Sequence, residues 1–402
     1  MIAADKFISR YVTGRETSMF LHDISSNKEK LARSIDGKSV LVIGGAGSIG
    51  SSYIKAILPF KPASLVVADI NENALAELTR DLRSTKGMFV PEDYVPYPMD
   101  YSSRVFKKMF ISRKGFDIVA NFSAHKHVRS EKDIYSVEAL LRNNVLNAKV
   151  LLDLLEQYPP EEYFCVSTDK AANPVNIMGA SKRIMEDLIF SYSDKFPVKT
   201  ARFANVAFSN GSLPAGFLER IQKQQPISAP TDTKRYFVSP EESGQICMLA
   251  CMLGKNREIF FPKLEQAQMM TFDRIAVDLL HTLGYEVLEC GSDEEAIEKA
   301  QALKTGSIKY PVHFSRSDTS GEKSYEEFYT DEETVDMDRL SALGVITDKP
   351  IPSRQSIEQL LEKLTFAFDN GNTSKQEIVN IIKDYLPSFE HIEKGRSLDS
   401  KM

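Results

Sequence analysis

The sequence predicts an α/β protein built on a doubly wound parallel sheet, with a smaller C-terminal substrate-binding region. Three observations carry this. Short apolar runs alternate with helical stretches from about residue 39 to residue 206. The first run ends in glycines that lead straight into a helix. After about residue 207 the rhythm breaks, and Pro and Gly become frequent.

Residues 1–36 are polar and helix-compatible, and read as a packing or oligomerisation arm. "SVLVIGG" (Ser39–Gly45) is a short apolar run of the kind that forms a strand buried on both faces. A helical pattern follows to about Leu58. "SLVVADI" (Ser64–Ile70) is the second strand, followed by the helix "NENALAELTRDLRS". "YVPYPMD" (Tyr94–Asp100) is the third, "FDIVANFSA" (Phe116–Ala124) the fourth, "EYFCVST" (Glu162–Thr168) the fifth and "VKTARFANV" (Val198–Val206) the sixth. These strands and their helices define a sheet domain over 37–206. Residues 207–350 form mainly a substrate-binding region, with some sheet elements near 235–262 and a helix over 271–284. Residues 351–402 form a helical tail. Its two amphipathic stretches are "SIEQLLEKLTFAF", stopping at Gly371, and "SKQEIVNIIKDYL", opened by Ser374 and Glu377 in capping-box spacing.

The 402 residues are 42% hydrophobic and 26% charged, with a net charge of -6. That balance argues against general nucleic-acid binding, which favours basic faces. Cys247 and Cys251 lie one helical turn apart in "ICMLACML", without the further ligands that a metal site needs. They and Cys165 and Cys290 read as buried thiols, so no metal and no disulfide framework is expected. The opening residues lack a signal-peptide core, and no run reaches the roughly 18 apolar residues of a membrane span. A soluble cytoplasmic protein without a membrane anchor is the expectation.

"GGAGSIG" spaces Gly44, Gly47 and Gly50 between strand and helix. Gly44 allows a sharp turn, Gly47 a close approach of backbone to a pyrophosphate, and Gly50 tight helix–strand packing. Ser48 and Ile49 open the helix, whose free N–H groups point at phosphates. Asp69 ends the second strand 19 residues after Gly50 and suits a ribose diol. Its carboxylate repels a 2′-phosphate, which favours NAD over NADP. Asp100, ending the third strand, reads equally as an adenine contact or as a helix N-cap.

Eight blocks then carry a resemblance: "GGAGSIG", "SAHKHV", "NNVLNAKVLLD", "STDKAANPVNIMGASKR", "RFANV", "KRYFVSPEE", "EIFFPKL" and "GEKSYEEF". In this order, from about residue 37 to 335, they resemble the extended short-chain dehydrogenase/reductase superfamily, whose sheet is of the Rossmann type. Within it they look like nucleotide-sugar 4,6-dehydratases of polysaccharide biosynthesis that act on UDP-N-acetylglucosamine. Arg129 departs from the proline usual after K-H-V, and "FSNGS" lacks an arginine common before that Gly-Ser.

The resemblance implies an internal redox dehydration with NAD held throughout. Asp169 is then the acid and Lys170 the base, at sugar C6 and C5. The base role needs a neutral lysine, so burial or nearby cations have to favour the amine. The acid role needs a protonated aspartate, and the pair is coupled. Lys182 is implied to hold the nicotinamide ribose. Met178 stands where a tyrosine base is common, so Thr168, Asp169 or a water must deal with the C4 hydroxyl proton. Members with methionine there resemble the dehydratases that retain configuration at C5. Ala124 is implied near the cofactor. Lys126, His127, Asn144, Asn205 and Arg235 are implied on the substrate side, with Arg235 matching diphosphate oxygens; for Asn144 the resemblance is to a helix asparagine that supports the catalytic lysine. Arg202 reads equally as a sheet-edge salt bridge. Self-association through helices at 133–157 and 175–192 is implied too. A nucleotide-sugar 4-epimerase, a dehydratase of GDP-linked amino sugars and a non-catalytic NAD sensor are the competing readings.

Overall fold

Buried β-branched runs build the centre of the molecule. In the computed structural model, which describes residues 4–304, 306–317, 325 and 327–393 apart from the side chains of Arg129 and Ser130, nine strands form the main sheet. They are β1 (Ser39–Ile43), β2 (Ser64–Asp69), β3 (Asp93–Pro98), β4 (Ile118–Asn121), β5 (Glu162–Val166), β6 (Val198–Ala201), β7 (Ile259–Pro262), β8 (Thr334–Asp336) and β9 (Leu343–Asp348). Their order is β8-β9-β7-β6-β5-β4-β1-β2-β3. The seven strands from β3 to β7 run parallel, and β9 and β8 add an antiparallel edge. The strand order reverses between β1 and β4, and ligands of such sheets bind in the crevice at that point.

Helices cover both faces: α1 (Ser48–Ile57), α2 (Glu72–Ser84), α3 (Arg104–Ser112), α4 (Ile134–Leu141), α5 (Asn147–Gln157), α6 (Ile177–Phe190), α7 (Pro240–Leu253), α8 (Arg354–Asp369) and α9 (Lys375–Tyr385). The run "ICMLACML" is apolar all round because α7 is buried all round; Cys247 and Cys251 are core thiols, and burial raises both. Helix α7 lies so close to α1 that a Cβ on Gly244 would sit 2.2 Å from the Ser52 carbonyl oxygen.

All six predicted strands end early, the fourth and the sixth by the most. The fourth stops at Asn121, whose side chain accepts from the Ser123 N–H at 2.9 Å and turns the chain out of the sheet. The sixth stops at Ala201, and Asn205–Val206 pairs instead with Phe237–Val238 in a separate two-stranded ladder. The break falls at Arg202, which forms the salt bridge expected at this strand end, with Glu186 and Glu333 in a fully buried charge cluster. Asp100 is not a helix cap: Ser103 caps α3, while Asp100 closes a turn on the Ser102 N–H at 2.7 Å.

Beyond residue 207, helices Leu213–Gln222 and Phe272–Thr282 pack on a three-stranded sheet. This region has its own core, around Phe217, Ile227, Ile275 and Tyr310, which Phe7 and Val12 of the N-terminal arm complete. The tail helices α8 and α9 join the main core through Ile357, Leu364, Ile378 and Ile382. Helix α8 lies on α6, and Arg354 stacks over the Tyr192 ring at 4.3 Å. Every residue of α6 except Arg183 is buried. Helix α8 thus covers part of α6, one of the two helices expected to support self-association.

Candidate active site

The glycine loop joins β1 to α1. Gly44 has φ +70°, and a Cβ there would meet the Ser123 nitrogen at 2.6 Å, so the loops after β1 and β4 touch. A Cβ on Gly50 would lie 2.4 Å from the Gly44 oxygen, which explains the third glycine by packing. Gly47 is different. Its nearest neighbour to a Cβ is the Gly44 oxygen at 3.4 Å, so the protein's own packing does not demand a glycine. Gly47 also caps α1 without a side chain, leaving the N–H groups of Ser48, Ile49 and Gly50 at the helix mouth. Asp69 accepts from the Ala46 N–H at 3.0 Å and from the Asn71 N–H at 2.9 Å, which fixes its carboxylate beside the loop. An open face at Gly47, an uncapped N-terminus and an adjacent carboxylate fit a dinucleotide.

Three loops meet beside this mouth. The Ser48 hydroxyl accepts from the Asn210 N–H at 2.9 Å, and Lys126 Nζ donates to the Asn210 carbonyl at 3.0 Å. A Cβ on Gly211 would meet His127 Nε2 at 3.0 Å. Ala124 lies half-buried in the loop after β4. Asn144 is buried and faces inward. It accepts from the His125 N–H at 2.8 Å and donates to the His125 carbonyl at 2.9 Å and to Ser181 Oγ at 3.0 Å. Of the roles raised by the sequence, this arrangement supplies bracing: Asn144 ties the loop after β4 to α6.

The run Thr168–Asp169–Lys170 follows β5 at the carboxyl edge of the sheet. Asp169 is 4% exposed. Its Oδ1 accepts from Thr168 Oγ at 2.8 Å, from the Lys170 N–H at 2.9 Å and from Lys170 Nζ at 3.1 Å. This is the bonding of a carboxylate beside an ammonium. One proton moved across the 3.1 Å contact converts it into a carboxylic acid beside a free amine.

Asn176 caps α6 by accepting from the Gly179 N–H at 2.7 Å. Met178 is buried and offers no titratable group; its N–H donates to Glu131 Oε1 at 2.9 Å. Lys182 is buried one helical turn on, and Nζ donates to the Val166 carbonyl at 3.0 Å, just below the Asp169 run. Burial pushes the Lys182 ammonium down, while Cys165 and Glu186 act the other way. Asn205 is half-buried, with its N–H on the Tyr236 carbonyl, and Arg235 is buried with Nη1 on the Lys234 carbonyl at 2.9 Å. Glu322 and Lys323 of "GEKSYEEF" lie outside the described residues.

The sequence reading missed Glu131, Ser167, Ser181 and Glu186, all of which hold parts of this site. The partners of Glu186 are Ser167, Arg202 and Lys349, all distant in sequence, so no local spacing marked it. Among the described residues no metal-holding cluster of His, Cys, Asp and Glu occurs, and no helix is long and apolar enough to cross a membrane.

The chain is similar to an uncharacterized membrane protein of Methanocaldococcus jannaschii, 28% identical over 86% of this chain and 96% of that one. It is similar to a UDP-N-acetylglucosamine 4,6-dehydratase (inverting) of Campylobacter jejuni, 26% identical over 65% of this chain and 77% of that one. It spans only 43% and 49% of two further polysaccharide-biosynthesis relatives, from Bacillus subtilis and Staphylococcus aureus. Among solved structures, Pen from Bacillus thuringiensis aligns with a TM-score of 0.64 at 21% identity, covering 88% of this chain and 98% of that one; the two share the doubly wound fold. The polysaccharide biosynthesis protein family matches residues 40–347, a span that holds the glycine loop, the Asp169–Lys170 pair and Lys182, and the chain belongs to that family.

Proposed function

We propose that the protein is an NAD-dependent nucleotide-sugar 4,6-dehydratase that converts UDP-N-acetylglucosamine to a UDP-linked 4-keto-6-deoxy sugar. The observation that carries this reading is the buried Asp169 paired with Lys170 after β5, at the same carboxyl edge of the sheet as the glycine loop after β1. The Campylobacter jejuni relative, named as an inverting UDP-N-acetylglucosamine 4,6-dehydratase, supports the dehydration, while the retention proposed below rests on Met178.

Gly44, Gly47, Ser48, Ile49, Gly50 and Asp69 would hold NAD, which when bound would supply the hydride acceptor for sugar C4 and the hydride donor for C6. Asp100 would serve the adenine end of NAD and Lys182 the nicotinamide ribose. Lys126, His127, Asn205 and Arg235 face the diphosphate and sugar. The C4 ketone acidifies the C5 hydrogen. Lys170 Nζ removes that proton, and the Asp169 carboxyl protonates the departing C6 hydroxyl, which leaves as water. Lys170 then returns a proton to C5. The cycle starts with Lys170 as the free amine and Asp169 as the carboxylate, so the C4 hydroxyl proton, passed through Thr168 Oγ, makes Asp169 the acid that later protonates the C6 oxygen. Over the cycle the pair takes one proton from C5 and one from the C4 hydroxyl. It gives one to water and one to C5, so it ends as it began. Because one amine serves C5 in both directions from the same side, configuration there is retained; Met178, which cannot supply a proton from another position, suits that outcome.

Incubation with UDP-N-acetylglucosamine in deuterated water, followed by proton NMR, tests the reading. A new methyl signal must appear that shows deuterium at C5, with C5 configuration unchanged and no net NADH. A 4-epimer without a methyl signal, or unchanged substrate, would refute it.

A further inference from the structure

A buried charge cluster bonds Ser167, two residues before Asp169 of the proposed acid–base pair. Glu186, fully buried on α6, receives Arg202 at 2.8 and 2.7 Å and Lys349 at 3.0 Å. Arg202 binds Glu333 as well, at 2.8 and 2.7 Å, and Arg183 reaches Glu333 at 3.0 Å. Lys349 also reaches Asp187 at 2.9 Å. These pairings satisfy the charges, since an unpaired buried carboxylate costs several kcal/mol. They do not require a serine. Yet Ser167 Oγ donates to Glu186 Oε1 at 2.6 Å, fully inside the protein. Ser167 is also the last residue tied to the neighbouring strand, through its N–H on the Ala201 carbonyl at 3.0 Å. The next three residues are Thr168, Asp169 and Lys170.

We infer that Ser167 and Glu186 are positioning residues: their hydrogen bond fixes the point from which the chain leaves β5, and so fixes where Asp169 and Lys170 meet the sugar. This rests on the proposed dehydratase reading. The anchor is stiff because Glu186 is held from three elements at once, by α6 itself, by Arg202 at the end of β6 and by Lys349 after β9. Neither residue touches substrate in this arrangement. Losing the bond lets the run shift while the glycine loop, on the far side of β4, stays in place.

The test compares wild type with Ser167→Ala and Ser167→Thr on UDP-N-acetylglucosamine. Ser167→Ala is expected to lower kcat by about ten- to a hundredfold, the scale of an ångström-sized misplacement. KM should stay within about twofold and the content of bound NAD should be unchanged. During turnover the reduced cofactor should accumulate and be seen by its absorbance, because C4 oxidation proceeds while elimination stalls. Ser167→Thr keeps the hydroxyl and should recover most of the rate. Wild-type kcat in Ser167→Ala, or an equal loss in both variants, would overturn the inference. An inactive wild type would instead refute the dehydratase reading, so the two failures are distinguishable.

Discussion

Asn144 shows how much a single side chain decides here. Its amide fills three hydrogen bonds that hold the loop after β4 against α6. Asn144→Ala leaves the part-buried His125 N–H and carbonyl without those partners. A loss of about 1–3 kcal/mol is expected, read as a lower urea midpoint with an unchanged slope. An unchanged midpoint would show that the bridge is dispensable. Residue identity in this site was legible wherever a local rule applied. The glycines, Asp69 and the Asp169–Lys170 pair could be named from spacing and from the resemblance. Glu131, Ser181 and Glu186 could not, because their partners lie far off in sequence: Met178 is 47 residues from Glu131, and Ser167 is 19 from Glu186. No periodicity encodes such a pairing.

At the scale of elements, the sheet was readable because its strands are buried on both faces and appear as unbroken apolar runs. The errors fall at strand ends. There the apolar run continues, but a side-chain hydrogen bond or a buried charge ends the pairing, as at Asn121 and Arg202. Strands β8 and β9 were missed for another reason. They are short, antiparallel edge strands that return to the sheet from beyond the second core, and nothing local marks that return. The tail helices were legible as helices, with the Ser374–Glu377 capping box formed as expected. Their docking on α6 was not, because amphipathicity says that a face is covered and not by what.

Across the whole molecule, one cluster links the site, the sheet edge and the tail side. Burial pushes the Glu186 carboxyl up, but Arg202, Lys349 and Arg183 together hold it well below the usual carboxylate range; burial likewise opposes Glu333, which Arg202 and Arg183 hold low. A carboxylate lowered in the folded state stabilises fully above its unfolded value. That stability is lost as pH falls below it toward the folded value. The protein should therefore lose stability progressively as pH drops below the ordinary glutamate value of 4.5. Urea midpoints measured at about pH 6 and at about pH 3 check this. Equal midpoints would contradict the buried cluster. The sequence showed acidic and basic residues in ordinary proportion, without showing that six of them meet in the interior.

The account turns on Lys170 as the base that works at C5 beside a retained cofactor. Its most direct test is Lys170→Ala, purified with bound NAD quantified and then given UDP-N-acetylglucosamine in deuterated water. The prediction is a wild-type content of NAD, no deuterium at C5 and a rate of dehydration lower by at least about a hundredfold. A variant that keeps its cofactor and still forms the 4-keto-6-deoxy sugar at the wild-type rate would contradict it.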